Sequence, residues 1–121
     1  MDDIAGLLAL LRRAAVVTAS IDDALAVSDL TVDRWRALLY IRQNPGCSMS
    51  DIVDALVIPS TSATRIVDGL VEIGAVFRTV SQQDRRRTTL RVSSHGSALL
   101  RDAEPAISRV RVLQPGDPAP I

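Results

Sequence analysis

Asp84, Arg85, Arg86 and Arg87 stand side by side in a chain whose 14 basic and 14 acidic residues cancel. Three consecutive guanidiniums repel one another, and folding gains nothing from holding them together. The chemistry they suit is anion binding, because each guanidinium is a planar fork matched to phosphate oxygens and base edges. A solvated hairpin tip accounts for the same run without any partner. A second group lies upstream at Ser60, Thr61, Ser62, Thr64 and Arg65. Small hydroxyls around one arginine, near a helix start, allow close approach to phosphates and base edges. Hydroxyls at that place are also ordinary caps.

Other chemistry finds little support. One cysteine, Cys47, and one histidine, His95, cannot close a metal site. There is no nucleophile motif and no glycine-rich phosphate loop, and the carboxylates fall at caps and on solvated faces. The pattern excludes an enzyme and calls for no cofactor. Cys47 reads as a buried structural thiol, fits a reducing compartment and leaves no intramolecular disulfide. His95, beside Gly96 at a helix start, reads as a surface residue. Trp35, Tyr40 and Phe77 are the whole aromatic set, so stacking on bases is not the main means of recognition.

A length of 121 residues, 47% hydrophobic and 23% charged, fits one soluble globular domain. Every basic residue is an arginine, which codon bias explains as readily as function does. The neutral total hides an asymmetry. Residues 1–33 carry six aspartates against Arg12 and Arg13, whereas residues 60–91 carry six arginines against Asp68, Glu72 and Asp84. A basic C-terminal half permits a nucleic-acid partner. Asp2 and Asp3 stand where a signal peptide needs positive charge, and Arg12 and Arg13 interrupt the apolar run short of a membrane's thickness. The expectation is a cytoplasmic protein with no membrane partner.

The elements that must position these residues follow from periodicity. Ile4, Leu7, Leu8, Leu11 and Ala15 predict a helix over 3–20, with "DDALAVSDL" a weak helix or loop behind it. Thr31 is an N-cap, and Trp35, Leu38, Leu39 and Ile41 form an inward stripe ending at Asn44-Pro45-Gly46. Ser48 and Asp51 form a capping box before Ile52, Val53 and Leu56. Pro59-Ser60 starts a further helix with Ala63, Ile66, Val67, Leu70 and Ile73 inward. Its outward face carries Thr61, Arg65 and Asp68, flanked by Ser62, Thr64 and Gly69. After Gly74 the period becomes alternating, and "AVFRTVS" and "TTLRVSS" predict two strands around the arginine turn. A helix over 94–113 follows, with Leu99, Leu100, Ala103, Ile107 and Val110 inward and a kink at Pro105. The proline-rich residues 114–121 read as disordered.

This order predicts a mainly α fold with a small β-hairpin wing. It is a winged helix-turn-helix over 30–93, preceded by a helix and linker over 1–29. Helix 60–73 then enters a major groove while the hairpin tip reaches the adjoining minor groove.

Three segments carry a resemblance: "LTVDRWRALLYIRQNPGCSMSDIVDAL", "PSTSATRIVDGLVEIGAV" and "DRRRTTLRVSSHG". In order and without a gap over about residues 30–100, they resemble the MarR family of bacterial transcription regulators, with a shortened C-terminal dimerisation region. The resemblance implies a homodimer that binds a pseudo-palindromic DNA operator, as a repressor. Arg86 enters the minor groove with Asp84 steadying it, and Arg85 and Arg87 flank it. Ser60, Thr61, Ser62, Thr64 and Arg65 lie on the recognition helix. It further implies dimerisation through the terminal helices at Ile4, Leu7, Leu8, Leu11, Leu99, Leu100 and Ile107. A small aromatic effector would bind near Trp35 and the two long helices. The competing reading is a winged-helix protein-interaction module that has lost DNA binding.

Overall fold

The computed structural model describes residues 3–111. Five helices and one hairpin follow in chain order: α1 (Ile4–Ala24), α2 (Val32–Gln43), α3 (Met49–Leu56), α4 (Ser60–Glu72), β1 (Val76–Val80), β2 (Thr88–Val92) and α5 (Ser94–Ile107). The start of α2 is set by Thr31, whose side chain accepts from the Arg34 N–H. At α3 the capping box is complete: Ser48 Oγ accepts from the Asp51 N–H, and Asp51 Oδ2 accepts from the Ser48 N–H.

The Ser48 backbone N–H, and after it the Ser48 hydroxyl, hold the Asp51 carboxyl below its ordinary range. A lowered folded-state value stabilises the protein above the ordinary carboxylate range, and that gain is lost as pH falls through the lowered value. Thermal midpoints of wild type and Asp51→Ala should therefore differ at neutral pH and converge on acidification.

Buried hydrophobic residues from every element except α1 meet in one cluster, against which the half-buried Ile21 of α1 packs. Leu38 and Ile41 of α2, Ile52 of α3, Val67 and Leu70 of α4, and Leu90 of β2 are fully buried. β1 and β2 pair antiparallel from Val76 opposite Val92 to Val80 opposite Thr88. Cys47 adds an isolated bridge to the hairpin: its carbonyl accepts from the Leu90 N–H, and the Gly46 N–H donates to the Leu90 carbonyl. The hairpin is thereby anchored to the α2–α3 connection.

The sheet reaches α5 through the Ser93–Gly96 junction. Ser93 Oγ donates to the Gly74 carbonyl at 2.5 Å and accepts from the Gly96 N–H at 3.0 Å. A Cβ on Gly96 would stand 2.2 Å from the Ala75 carbonyl oxygen, so only glycine allows this close approach.

Several expectations need correction. α1 runs to Ala24 rather than ending at residue 20, and α5 ends at Ile107 rather than at 113. Pro105 lies inside α5 with no N–H to donate to the preceding turn, and the helix ends two residues beyond it at Ile107. Val110 therefore falls outside the helix, and residues 112–121, including the tail read as disordered, lie outside the described residues. Of β2's even face, Leu90 is buried, but Thr88 is exposed because it stands beyond the body of the fold.

No residue of α1 is buried. Leu7, Leu8, Leu10 and Leu11 are 54–66% exposed, and Ile4 is exposed too. By length and composition alone α1 could cross a bilayer, contrary to the expectation that Arg12 and Arg13 cut it short. Those two guanidiniums lie at its middle, where each would cost about 2.5–3.5 kcal/mol in hydrocarbon. An aqueous helix that meets a protein surface explains the same sequence without that penalty.

Candidate nucleic-acid interface

Helix α4 presents Ser60, Thr61, Thr64 and Arg65 to solvent, with Ser62 half-buried. Pro59 at its N-cap offers no side-chain hydrogen bond, so the first N–H groups and the positive end of the helix face outward uncapped. Thr64 Oγ1 donates back to the Ser60 carbonyl at 2.9 Å.

The arginine tip is an ordered turn. Ser81 Oγ accepts from the Gln83 and Asp84 N–H groups, the Ser81 N–H donates to the Arg87 carbonyl, and the Arg87 N–H donates to the Asp84 carbonyl. Asp84 Oδ1 accepts from the Arg86 N–H at 3.0 Å and stands 3.6 Å from Arg86 Nε. One carboxylate thus bonds the Arg86 backbone N–H and stands near its guanidinium, while the Arg86 side chain remains 95% exposed. Arg85 and Arg87 are exposed beside it. Arg87 also faces α3, where its charge adds to the lowering at Asp51.

The tip is tied to the helix by a pair that sequence reasoning missed. Arg78 of β1 forms an ion pair with Asp68 of α4. Asp68 lies on the exposed outward face, as its place on the helix predicts, and from there braces the wing against α4. Gly69 was expected on the same face and is buried. The Arg34 guanidinium lies over it, and a Cβ there would stand 2.5 Å from Arg34 Nη2. The hydroxyls and the arginine that α4 exposes lie in its first two turns, the half that a major groove receives in helix-turn-helix proteins.

Among the dimerisation candidates, Leu99 and Ile107 are half-buried. Leu100 is 4% exposed and packs in the chain's own core, so it is not available to a second copy. Cys47 is buried, and burial, followed by the nearby Asp51 charge, pushes its thiol up. Such a thiol is a poor nucleophile. Cys47→Ser should place a hydroxyl in the core and lower stability by about 1–3 kcal/mol. Urea unfolding reads that loss, and peroxide should leave DNA affinity of the wild type unchanged.

Among the described residues, no group of histidine, cysteine and carboxylate side chains could hold a metal. A groove of about 610 Å³ lies between α1 and α2, lined by Leu10, Val17, Ile21 and Trp35 together with Arg13 and Arg36. The resemblance implies an effector near Trp35 and the two long helices; this groove adjoins Trp35 and α1 but no residue of α5.

Two short helices, an α4 that exposes its N-terminal half, and a braced cationic hairpin define a winged helix-turn-helix protein. Residues 28–87 match the MarR family, and the chain belongs to that family of transcription regulators, which are not enzymes. It is 32% identical over 79 residues to the HTH-type transcriptional repressor IacR of Pseudomonas putida, covering 65% of this chain and 47% of that one. The CouR protein of Rhodococcus jostii RHA1, bound to p-coumaroyl-CoA, is 25% identical, with a TM-score of 0.79 over 90% of this chain and 76% of that one. The transcriptional repressor CouR bound to a 23-mer DNA duplex is 28% identical, with a TM-score of 0.79 over 91% of this chain and 79% of that one. The chain spans about half the length of the curated relatives it matches.

Proposed function

We propose that this chain is a cytoplasmic transcription regulator, a repressor, that binds a pseudo-palindromic operator as a homodimer. The observation that carries the reading is Arg86, oriented by Asp84 yet almost wholly exposed. An arginine held outward at a rigid tip suits a narrow minor groove, whose enhanced negative potential offsets the repulsion among Arg85, Arg86 and Arg87. The uncapped first turns of α4 supply hydroxyls and Arg65 for the major groove. A relative of similar fold bound to a DNA duplex supports DNA as the partner.

The exposed leucines of α1 support a second copy of the chain as its partner, and a twofold arrangement matches a palindromic site. The groove beside Trp35 is the place for a small aromatic effector. The test is a salt-titrated binding isotherm on the DNA upstream of the chain's own gene and on a scrambled duplex. Tighter binding to the upstream DNA, with an affinity that falls steeply as salt rises, is expected. Equal binding to both duplexes, or none, would transfer the fold to the protein-interaction reading.

A further inference from the structure

Helix α4 carries one arginine, Arg65, against two carboxylates, Asp68 and Glu72. That balance is unfavourable for an element entering a groove walled by phosphates. Neighbouring elements change it. Arg78 of β1 pairs with Asp68, and Arg34 of α2 lays its guanidinium on the helix at Gly69.

The seat at Gly69 is made by the missing side chain. A Cβ there would stand 2.5 Å from Arg34 Nη2, 3.0 Å from Cζ and 3.1 Å from Nε, so the guanidinium rests against the α4 backbone itself. Glycine within a helix is disfavoured against alanine. No positive φ calls for it at this position, since only Gly46 and Gly74 have one among the described glycines. Close approach by Arg34 is what the glycine allows. Arg34 is held at its root, where its N–H donates to Thr31 Oγ1 at 3.2 Å. It is the third residue of α2, where a cation meets the positive end of its own helix. The half-buried side chain reaches the Asp29 carbonyl from Nη1 at 3.5 Å, the outer limit of a hydrogen bond. Ion pairs among the described residues use Arg36, Arg78 and Arg86, so neither Glu72 nor any other carboxylate holds Arg34. An ordered guanidinium in this place lacks an anion.

Gly69 follows Arg65 by four residues, so the two positions adjoin on one row of α4, about 6 Å apart along its axis. We infer that Arg34 is a DNA-binding residue: seated on Gly69, it meets a phosphate on the wall of the groove that Arg65 enters. Helix α4 thus receives from α2 a second cation that its own sequence lacks. A phosphate contact carries no base information, so Arg34 supplies affinity and register rather than preference. This inference rests on the DNA-binding reading above and adds α2 to an interface otherwise made by α4 and the wing.

The probes are the DNA upstream of the chain's own gene and a scrambled duplex, each titrated at several salts. Arg34→Gln should weaken binding to both by the same factor, roughly tenfold, and lower the salt slope by about one. Gly69→Ala tests the seat without touching a charge. Its methyl group displaces the guanidinium from α4, while alanine favours the helix, so the thermal midpoint should hold or rise as DNA affinity falls. A merely structural role would move stability and affinity together. Combining the two substitutions should cost no more than either alone, because both remove one contact. Arg34→Gln together with Gly69→Arg places the cation on α4 directly and should restore the slope.

An Arg34→Gln variant that keeps the wild-type affinity and slope on both duplexes would overturn the contact and leave the DNA-binding reading standing. A Gly69→Ala variant that binds as wild type would do the same. A wild type that binds neither duplex would overturn the reading itself, and this inference with it.

Discussion

Arg86→Ala is expected to weaken binding to specific DNA by roughly 1–3 kcal/mol, the scale of one good directed contact. The expectation rests on the turn at the tip. Asp84 accepts from the Arg86 N–H and its Oδ1 stands 3.6 Å from Nε, which biases the exposed side chain outward from the turn. A guanidinium in a narrow minor groove reads A·T-rich width as well as charge, so the variant should also flatten the preference for A·T pairs beneath the wing. Arg85→Ala should behave differently. On the proposed function Arg85 meets a phosphate, so specific and non-specific binding should weaken together and the salt slope should fall by about one. Neither variant should change unfolding by more than about 0.5 kcal/mol, since exposed tips bury little. Isotherms on operator and scrambled duplexes at several salts separate these outcomes. Identical binding of all three proteins to both duplexes would make the wing a solvated loop.

The wing could be read from sequence because its geometry is local. Asp84 and Arg86 are two residues apart, and the turn that joins them is closed by Ser81 and Arg87 within the same stretch. The capping box of Ser48 and Asp51 was legible for the same reason. What escaped depended on one element packing over another. A helical wheel puts Gly69 outward, and it does face away from the apolar stripe, but Arg34 of α2 folds across it. Asp68 looked available until β1 brought Arg78 against it. Only an outward charge on a strand adjoining the helix hinted at that brace. The rung between Cys47 and Leu90 is a single residue wide, too short to leave any periodic signal. At α5 the apolar spacing persists through Val110, but periodicity carries no information about the missing donor at Pro105, and the backbone decided the end.

The same distinction separates Leu100 from the leucines of α1, and it sets the largest effect expected here. Leu8→Glu combined with Leu11→Glu should convert the protein to a monomer by light scattering. It should also lower affinity for a palindromic duplex by roughly 10²–10⁴-fold, the gain that two linked half-sites provide. Both side chains are more than 60% exposed, at 63% and 66%, and α1 contributes no buried residue. Two carboxylates there leave the cluster around Leu38, Ile41 and Leu70 intact, so the unfolding midpoint of the monomeric unit should move little. In a twofold interface the same surface meets its own copy, so each substitution places its charge in the contact twice and drives like charges together. A half-site duplex provides the control, because one protomer binds it without a partner. The double variant and wild type should bind that duplex alike, while only wild type gains from the second half-site. A variant that remains dimeric, or a wild type already monomeric at micromolar concentration, would show that α1 does not join two copies.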